Sequence, residues 1–420
     1  MSAARTAGKL LNIVLISGFR IFPSFTGGHI RTGSIARALA RMGHRVLIYS
    51  LAGRHGDYRL SDLWSGSYRV DQIEPELSEE TNLGLVFGLL QALGRRLNYP
   101  RVWQYYLLRS GIVPRRLKLA LRSADLILCD LPWCPPIAGA FHGSPWFLLS
   151  HNLEHRLLEQ GPPRHRRFAT WMRTIECAAP TRYQEILACA EEDQAFFRGC
   201  DPSGRLRLPI VRNGVDPEAY RAPPGARRRV RAELGLDEAD TLLVFSGSGF
   251  APNVEALQAL REFCRAESVF LERERVHILA LGSVSAAPGR EGALISTGRV
   301  PEILPYLAAA DAGLNPVIRG SGSNVKLFEY LAAKLPVIST AFGVRGTALE
   351  PDRDYIPYDP ADPSQAIRKF LHGKSRPEWK LHAERVWTRH RRSCDISELV
   401  KEATLQLPQF QTFAAPISRR

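Results

Sequence analysis

Several features are scarce or missing in this 420-residue chain. The longest weakly apolar run, LGLVFGLLQALG (Leu83 to Gly94), is too short for the roughly 20 residues of a membrane-spanning helix. The seven cysteines (129, 134, 177, 189, 200, 264 and 394) are scattered, with no C-x-x-C and no paired Cys/His spacing. That excludes a zinc ribbon or a disulfide scaffold, and it fits thiols kept as small buried hydrophobes in a reducing compartment. No short-period repeat and no low-complexity segment is present. Acidic residues are short by 14 against 56 Lys and Arg, and from Thr81 to Ala124 there are none. That window carries Arg95, Arg96, Arg101, Arg109, Arg115, Arg116, Lys118 and Arg122, with Tyr99, Trp103, Tyr105 and Tyr106 between them. A net charge of +14 suits an anionic partner. The basic N-terminus before LNIVLISG suggests a leader, but the apolar stretch is short and reads better as a first buried strand.

What is present repeats one grammar twice. NIVLIS is a continuous apolar run, as expected for a parallel strand covered on both faces. GFRIFPSFTGGH is a loop, and IRTGSIARALARMG has helical spacing (Ile30, Ile35, Ala38, Leu39, Met42) and stops at Gly43. HRVLIYS is the next strand, and this βαβ unit predicts an open parallel sheet. Further strands are expected at 126–131, 146–151, 185–189 and 207–215. DPEAYRAPPGARRR (Asp216 to Arg229) reads as an interdomain linker. The second half restarts with TLLVFSGS, then GFAPN and an amphipathic helix, followed by strands at VHILALGS, LISTGRV, AGLNPV, LPVIST and YIPYD. The basic tail from Glu378 to Leu407 is helical in pattern.

The stretch richest in chemistry is RGSGSNVKLFEYLAAKLPVIST, Arg319 to Thr340. Gly320, Ser321, Gly322 and Ser323 lead straight into a helix, where free N–H groups and the positive end of the helix dipole suit a phosphate. Lys326 would add a point charge, and Glu329, three residues on, would offer a carboxylate to ribose hydroxyls. The same letters fit equally a Ser N-cap followed by a surface ion pair worth about 0.2–0.5 kcal/mol. FTGGH (Phe25 to His29) places two glycines between strand and helix, as a backbone approaching a ligand would, or as a plain turn. In FSGSGFAPN, Gly247 and Gly249 are followed by Pro252 where a dinucleotide loop would have glycine, a weak match. His151 stands at the carboxyl end of a predicted parallel strand, where open α/β sheets bind ligands, although a lone His is more often structural. The H-x-x-E-H run from His151 to His155 follows a strand rather than lying within a helix, which argues against zinc. Asp352 and Asp354 form an Asp-x-Asp between turn residues and read as a solvated turn.

Together these pieces resemble a family-4 glycosyltransferase of the GT-B fold, from about Leu11 to the C-terminal helix. The resemblance is carried by GSGSNVKLFEYLAAKLPVISTAFGVRG, FTGGH, SHNLEH, IVRNGVD and FSGSGFAPNVEAL. It implies two Rossmann-like domains facing each other across a cleft: an acceptor-side domain at 1–218 and a nucleotide-sugar domain at 219–377. A crossing helix and tail at 378–420 would return to the first domain. It also implies transfer from a nucleoside-diphosphate sugar to a glycan or lipid-linked acceptor with retention, with no cofactor and no essential metal. The catalytic set would be His151, Lys326 and Glu329. The donor would be held by Gly27, Gly28, Gly247, Asn253, Arg319, Gly320, Ser321, Gly322, Ser323, Asn324, Lys326 and Glu329. Lys326 would neutralise the leaving diphosphate and Glu329 would hold the ribose. Three residues depart from the family pattern. Ser321 stands where a first glutamate is usual, no Arg or Lys follows the first strand of the second half, and Lys334 replaces a helix-ending glycine. The window 93–122 fits an ordinary solvated surface or docking on an anionic membrane, and no nucleic-acid module is seen. The expected setting is cell-surface polysaccharide assembly, cytoplasmic or peripheral at the inner membrane face. The alternatives are a non-catalytic nucleotide-sugar binder or a nucleotide-sugar epimerase.

Overall fold

A computed structural model describes residues 10–22, 24, 27–51, 68–82, 100–137, 143–161, 163–320, 324–374, 377–395, 398 and 400. The chain divides into two compact units. The first comprises Met1–Ser24, Gly28–Arg212 and Ile396–Arg420, and the second Phe25–Gly27 and Asn213–Asp395. The division after Arg212 falls a few residues before the expected one at 218.

The first unit is built on a seven-stranded sheet: β1 (Asn12–Ser17), β2 (Arg45–Ser50), β3 (Tyr68–Glu74), β4 (Leu77–Asn82), β5 (Leu126–Asp130), β6 (Trp146–Leu149) and β7 (Glu185–Leu187). Their order is β3-β4-β2-β1-β5-β6-β7, and only β3 runs antiparallel, to β4. NIVLIS is the central strand, and its alternate residues serve opposite faces. Ile13 and Leu15 pack with Ile35 and Leu39 of the helix Gly27–Arg41, while Val14 and Ile16 join Leu117, Trp133 and Met172. Burial on both sides is why the run is apolar throughout rather than alternating.

The segment 207–215, expected as a strand, makes only isolated bridges, Glu185↔Arg207, Ala188↔Ile210 and Val215↔Asp395. Pro209 lacks a donor, so the ladder cannot continue through it.

The second unit repeats the plan with β8 (Thr241–Ser246), β9 (Val276–Leu281), β10 (Pro288–Glu291), β11 (Leu294–Gly298), β12 (Ala312–Asn315), β13 (Val337–Ser339) and β14 (Ile356–Pro357). Their order is β10-β11-β9-β8-β12-β13-β14, with β10 the antiparallel edge. Leu243 and Phe245 of β8 pack with Leu257, Leu260 and Phe263 of the helix Ala251–Ala266.

The expected linker is instead folded into this unit. Asp216 caps a short 3-10 helix, Pro217–Tyr220, by accepting from the Glu218 N–H at 3.2 Å. Arg231 of the helix Ala226–Glu233 is buried, donating to the Ala309 carbonyl at 2.7 Å.

Two further expectations fare differently from their statement. The helix Pro377–Cys394 lies in the second unit, against the helices Val325–Ala332 and Pro363–Lys374, and only residues from Ile396 onward group with the first. Asp354 explains its docking. The side chain is sealed from solvent and accepts from the Glu350 N–H at 3.0 Å, from His390 Nε2 at 3.0 Å and from Arg389. Burial opposes its ionisation, but these donors outweigh that and hold its pKa below the usual value. Only Asp352, exposed and paired with Lys369, fits a solvated turn.

Candidate functional site

The helix Val325–Ala332 begins at the N-cap Asn324, whose side chain does not cap it. The Asn324 amide donates instead to the Gly343 carbonyl at 3.2 Å, tying the helix start to the turn after β13. A Cβ on Gly343 would meet Ser339 Oγ at 2.3 Å and Asn315 Nδ2 at 2.5 Å, so glycine is required there. At the other end Lys334 takes a left-handed conformation (φ 57°). The Leu335 N–H bonds the Tyr330 carbonyl at 2.9 Å and the Lys334 N–H bonds the Leu331 carbonyl at 3.0 Å. This is a Schellman stop in which lysine replaces the favoured glycine.

From Lys326 to Ala332 every residue of this helix is buried. Lys326 is 8% and Glu329 5% exposed, which rules out a surface ion pair. Nor do the two pair with each other. Lys326 Nζ donates to Asn253 Oδ1 at 2.7 Å and lies 4.7 Å from the centre of the Phe245 ring. Glu329 Oε1 accepts from the Tyr220 hydroxyl at 2.9 Å. Burial pushes the Lys326 pKa down to about 7, against the attraction of Glu329. Burial also raises the Glu329 pKa, and the Tyr220 hydroxyl and Lys326 offset part of the rise. Each charge is thus held in a low-dielectric setting by a neutral partner, an arrangement with poor value for stability and high value for an ionic ligand.

The end of β8 supplies the neighbouring wall. Tyr330 Oη accepts from the Ser246 N–H at 2.8 Å and lies 3.1 Å from Ser246 Oγ, fastening the helix to that strand. Its ring lies over β12, where a Cβ on Gly313 would fall 2.3 Å from Cδ2. A Cβ on Gly247 would crowd Val284 and Asn253 at 3.2 and 3.3 Å. Asn253 Nδ2 donates to the Ser248 carbonyl at 3.2 Å, which aims Oδ1 at Lys326. The second unit therefore brings together Gly247, Asn253, Asn324, Lys326 and Glu329. Arg319 is placed otherwise, gripped by Glu255 through both its Nε (2.6 Å) and its Nη2. Gly320 adopts φ 142°, a left-handed-region backbone suited to glycine. Ser321, Gly322 and Ser323 lie outside the described residues.

The first unit holds a second polar cluster, at the carboxyl ends of β1, β5 and β6. His151 Nε2 contacts Asp130 Oδ1 at 2.5 Å. Asp130 also accepts from Thr32 Oγ1 and Ser17 Oγ, each at 2.8 Å. Burial disfavours the Asp130 anion, yet the His151 charge and these donors prevail and lower its pKa. His151 Nδ1 is sealed with no hydrogen-bond partner among the described residues. The loop after β1 is pinned by Glu79, fully buried, which accepts from the N–H groups of Ile21 (2.6 Å) and Phe22 (2.9 Å) and from Ser50 Oγ (2.6 Å). Gly27 and Gly28 open the following helix, and a Cβ on Gly28 would meet no described atom within 4 Å. His155 is structural: its Nδ1 contacts Glu176 at 2.5 Å, while the same carboxylate accepts the Glu154 N–H at 2.7 Å. Among the described residues no group of three or more His, Cys, Asp or Glu is placed to share a metal ion.

Sequence reasoning missed Tyr220, Tyr330, Asp130, Thr32 and Glu79. Asp130 was findable as an acid at the carboxyl end of a strand in an open sheet. Tyr220 was hidden in a stretch that reads as linker.

Known proteins share this architecture. Residues 240–372 match the family model for glycosyl transferases group 1. No curated protein matches the sequence. Among solved structures, Anabaena HepE in complex with UDP and glucose is 14% identical, with a TM-score of 0.59 over 94% of this chain and 98% of its own. WaaG, a glycosyltransferase involved in lipopolysaccharide biosynthesis, is 17% identical, with a TM-score of 0.55 over 93% and 98%. The α,α-trehalose-phosphate synthase of Burkholderia xenovorans, in complex with glucose-6-phosphate, is 14% identical, with a TM-score of 0.63 over 94% and 99%. Likeness in both seven-stranded units, with the family match in the second, makes this a protein of the GT-B glycosyltransferase fold.

Proposed function

We propose that the chain transfers a sugar from a nucleoside-diphosphate sugar to a glycan or lipid-linked acceptor, with retention at the anomeric carbon. The observation that carries this reading is the buried Lys326–Glu329 couple, two charges unpaired with each other on one helix of the region matching the family. When the sugar–phosphate bond breaks, negative charge gathers on the diphosphate. The Lys326 ammonium, in a dry setting where electrostatics are strong, stabilises it. We assign the ribose to Glu329. Because a lysine supplies this charge, the reading includes no essential metal. Asp130 fixes the His151 ring through Nε2, as a carboxylate behind a functional imidazole does. The complexes of HepE with UDP and glucose and of the Burkholderia synthase with glucose-6-phosphate support both the donor class and a sugar-bearing acceptor.

A panel of nucleotide sugars, scored for binding and hydrolysis, tests this directly. Lys326→Met and Glu329→Gln should each weaken donor binding at least tenfold, the usual scale for a charged hydrogen bond lost. Donor binding equal to wild type in both variants would refute the site. Turnover abolished by a chelator would refute the metal-free step. Ser321 in place of an acid favours a second reading, a binder without turnover, which donor binding with no hydrolysis or transfer would identify.

We further propose that the first unit docks on an anionic membrane. On the helices Pro100–Arg109 and Arg115–Arg122 and in the segment between them, Tyr106, Ile112 and Leu119 are exposed, as are the cations Arg109, Arg115 and Lys118. Such a face gains about 1 kcal/mol per basic residue near anionic lipid. Arg95, Arg96 and Tyr99 lie outside the described residues, and among the described residues no helix is long and apolar enough to cross a membrane. Salt-sensitive binding to phosphatidylserine vesicles is expected, and no binding at low salt would remove the idea.

A further inference from the structure

Tyr220 belongs to a segment that composition marks as a linker, yet it is built into the second unit with care. Asp216 accepts the Glu218 N–H, Pro217 occupies the first turn, and the 3-10 helix Pro217–Tyr220 ends with the Tyr220 hydroxyl on Glu329 Oε1 at 2.9 Å. Glu329 is 5% exposed and takes no other hydrogen bond from any described residue. A buried carboxylate with a single donor has a fixed plane on one side only, and Oε2 is left to a ligand. The charged and titratable groups that act on it are Lys326, three residues back on its own helix, and Tyr220. Lys326 is turned to Asn253, so the tyrosine alone holds the carboxylate in place.

We infer that Tyr220 is a positioning residue for the nucleotide, orienting the Glu329 carboxylate so that its free lone pairs meet the two ribose hydroxyls. This rests on the donor reading above. Oε1 keeps one lone pair after accepting from Tyr220, so each carboxylate oxygen can take one hydroxyl of a vicinal diol. The tyrosine acts through Glu329 and need not touch the ligand.

The test is calorimetric titration of the full chain with UDP, ADP and GDP, each beside its 2′,3′-dideoxy counterpart. Wild type, Tyr220→Phe and Glu329→Gln are compared, with thermal melts to establish folding. Tyr220→Phe keeps the ring and removes only the hydroxyl. It should weaken the preferred ribonucleotide about three- to tenfold, the scale of a typical net hydrogen bond, and leave the dideoxy compound unchanged. A role in packing alone would weaken both compounds equally, and a tyrosine that merely competes with the ligand for Glu329 would make Tyr220→Phe bind more tightly. Either result overturns the inference. Should wild type show a ribose preference that Glu329→Gln erases and Tyr220→Phe does not alter, the inference fails while the donor site stands. Should wild type bind none of the three, the donor reading itself fails, and the inference with it.

Discussion

On the proposed donor reading, the pH dependence of binding follows from the state of Lys326. In the free protein burial brings its pKa to about 7, so near neutrality the ammonium is only half formed. A nucleoside-diphosphate sugar is a diphosphate diester whose two charges do not titrate between pH 6 and 9, which leaves the protein as the source of any pH effect. A phosphate charge about 4 Å from Nζ, at an effective dielectric near 20, contributes about 4 kcal/mol. This raises the bound lysine's pKa well above its value in the free protein. The protonated form is the one that binds, so binding takes up a proton. Affinity is full well below pH 7, halved near pH 7, and falls further as pH rises. Between pH 7.0 and 8.5 the expected loss is about fifteenfold, with close to one proton taken up per ligand near pH 8.5. Titration calorimetry in two buffers of different ionisation enthalpy measures both quantities. Lys326→Arg should flatten the profile, since a guanidinium stays protonated throughout. Lys326→Met should bind weakly at every pH. A wild-type Kd that does not change from pH 7.0 to 8.5, or a slope that survives in Lys326→Met, would refute the reasoning.

Three other outcomes can be measured on the protein without any ligand. Lys334→Gly relieves a left-handed lysine worth about 1 kcal/mol and loses only the exposed pair with Glu384, so a net gain of about 0.5 kcal/mol in denaturant unfolding is expected. Gly313→Ala places a methyl 2.3 Å from Tyr330 Cδ2; the ring must shift and release the Ser246 N–H, and a loss of at least about 2 kcal/mol should follow. Asp354→Ala leaves His390 and Arg389 without their buried carboxylate and should cost on the order of 3 kcal/mol. Because the Asp354 pKa is depressed in the folded state, its contribution is present above the ordinary carboxylate pKa and disappears as pH falls through the depressed value. The difference between wild type and this variant should therefore narrow in acid.

The strands that carry the sheets were legible because they are buried on both faces. NIVLIS and TLLVFS are continuous apolar runs, and their places at the centre of each sheet follow from that burial. The strands away from the sheet centres were not legible. PGRE forms β10 with all four residues exposed, and LSEETN forms β4 with two glutamates pointing inward, a pattern that no hydrophobic period reveals. Glu79 is inward for a reason outside its own strand: it collects two N–H groups of the loop after β1 and the Ser50 hydroxyl. The site shows the same asymmetry. Lys326 and Glu329 could be selected because a cation and a carboxylate behind a Gly/Ser loop carry chemistry in their side chains. Tyr220 acts by where the fold brings it, 109 residues away along the chain from the group it holds. A charge buried beside a neutral partner is costly unless something pairs with it later. The cost is visible only once burial is known, which is why the sequence left a surface ion pair and a ligand site equally open and the structure removes the surface ion pair.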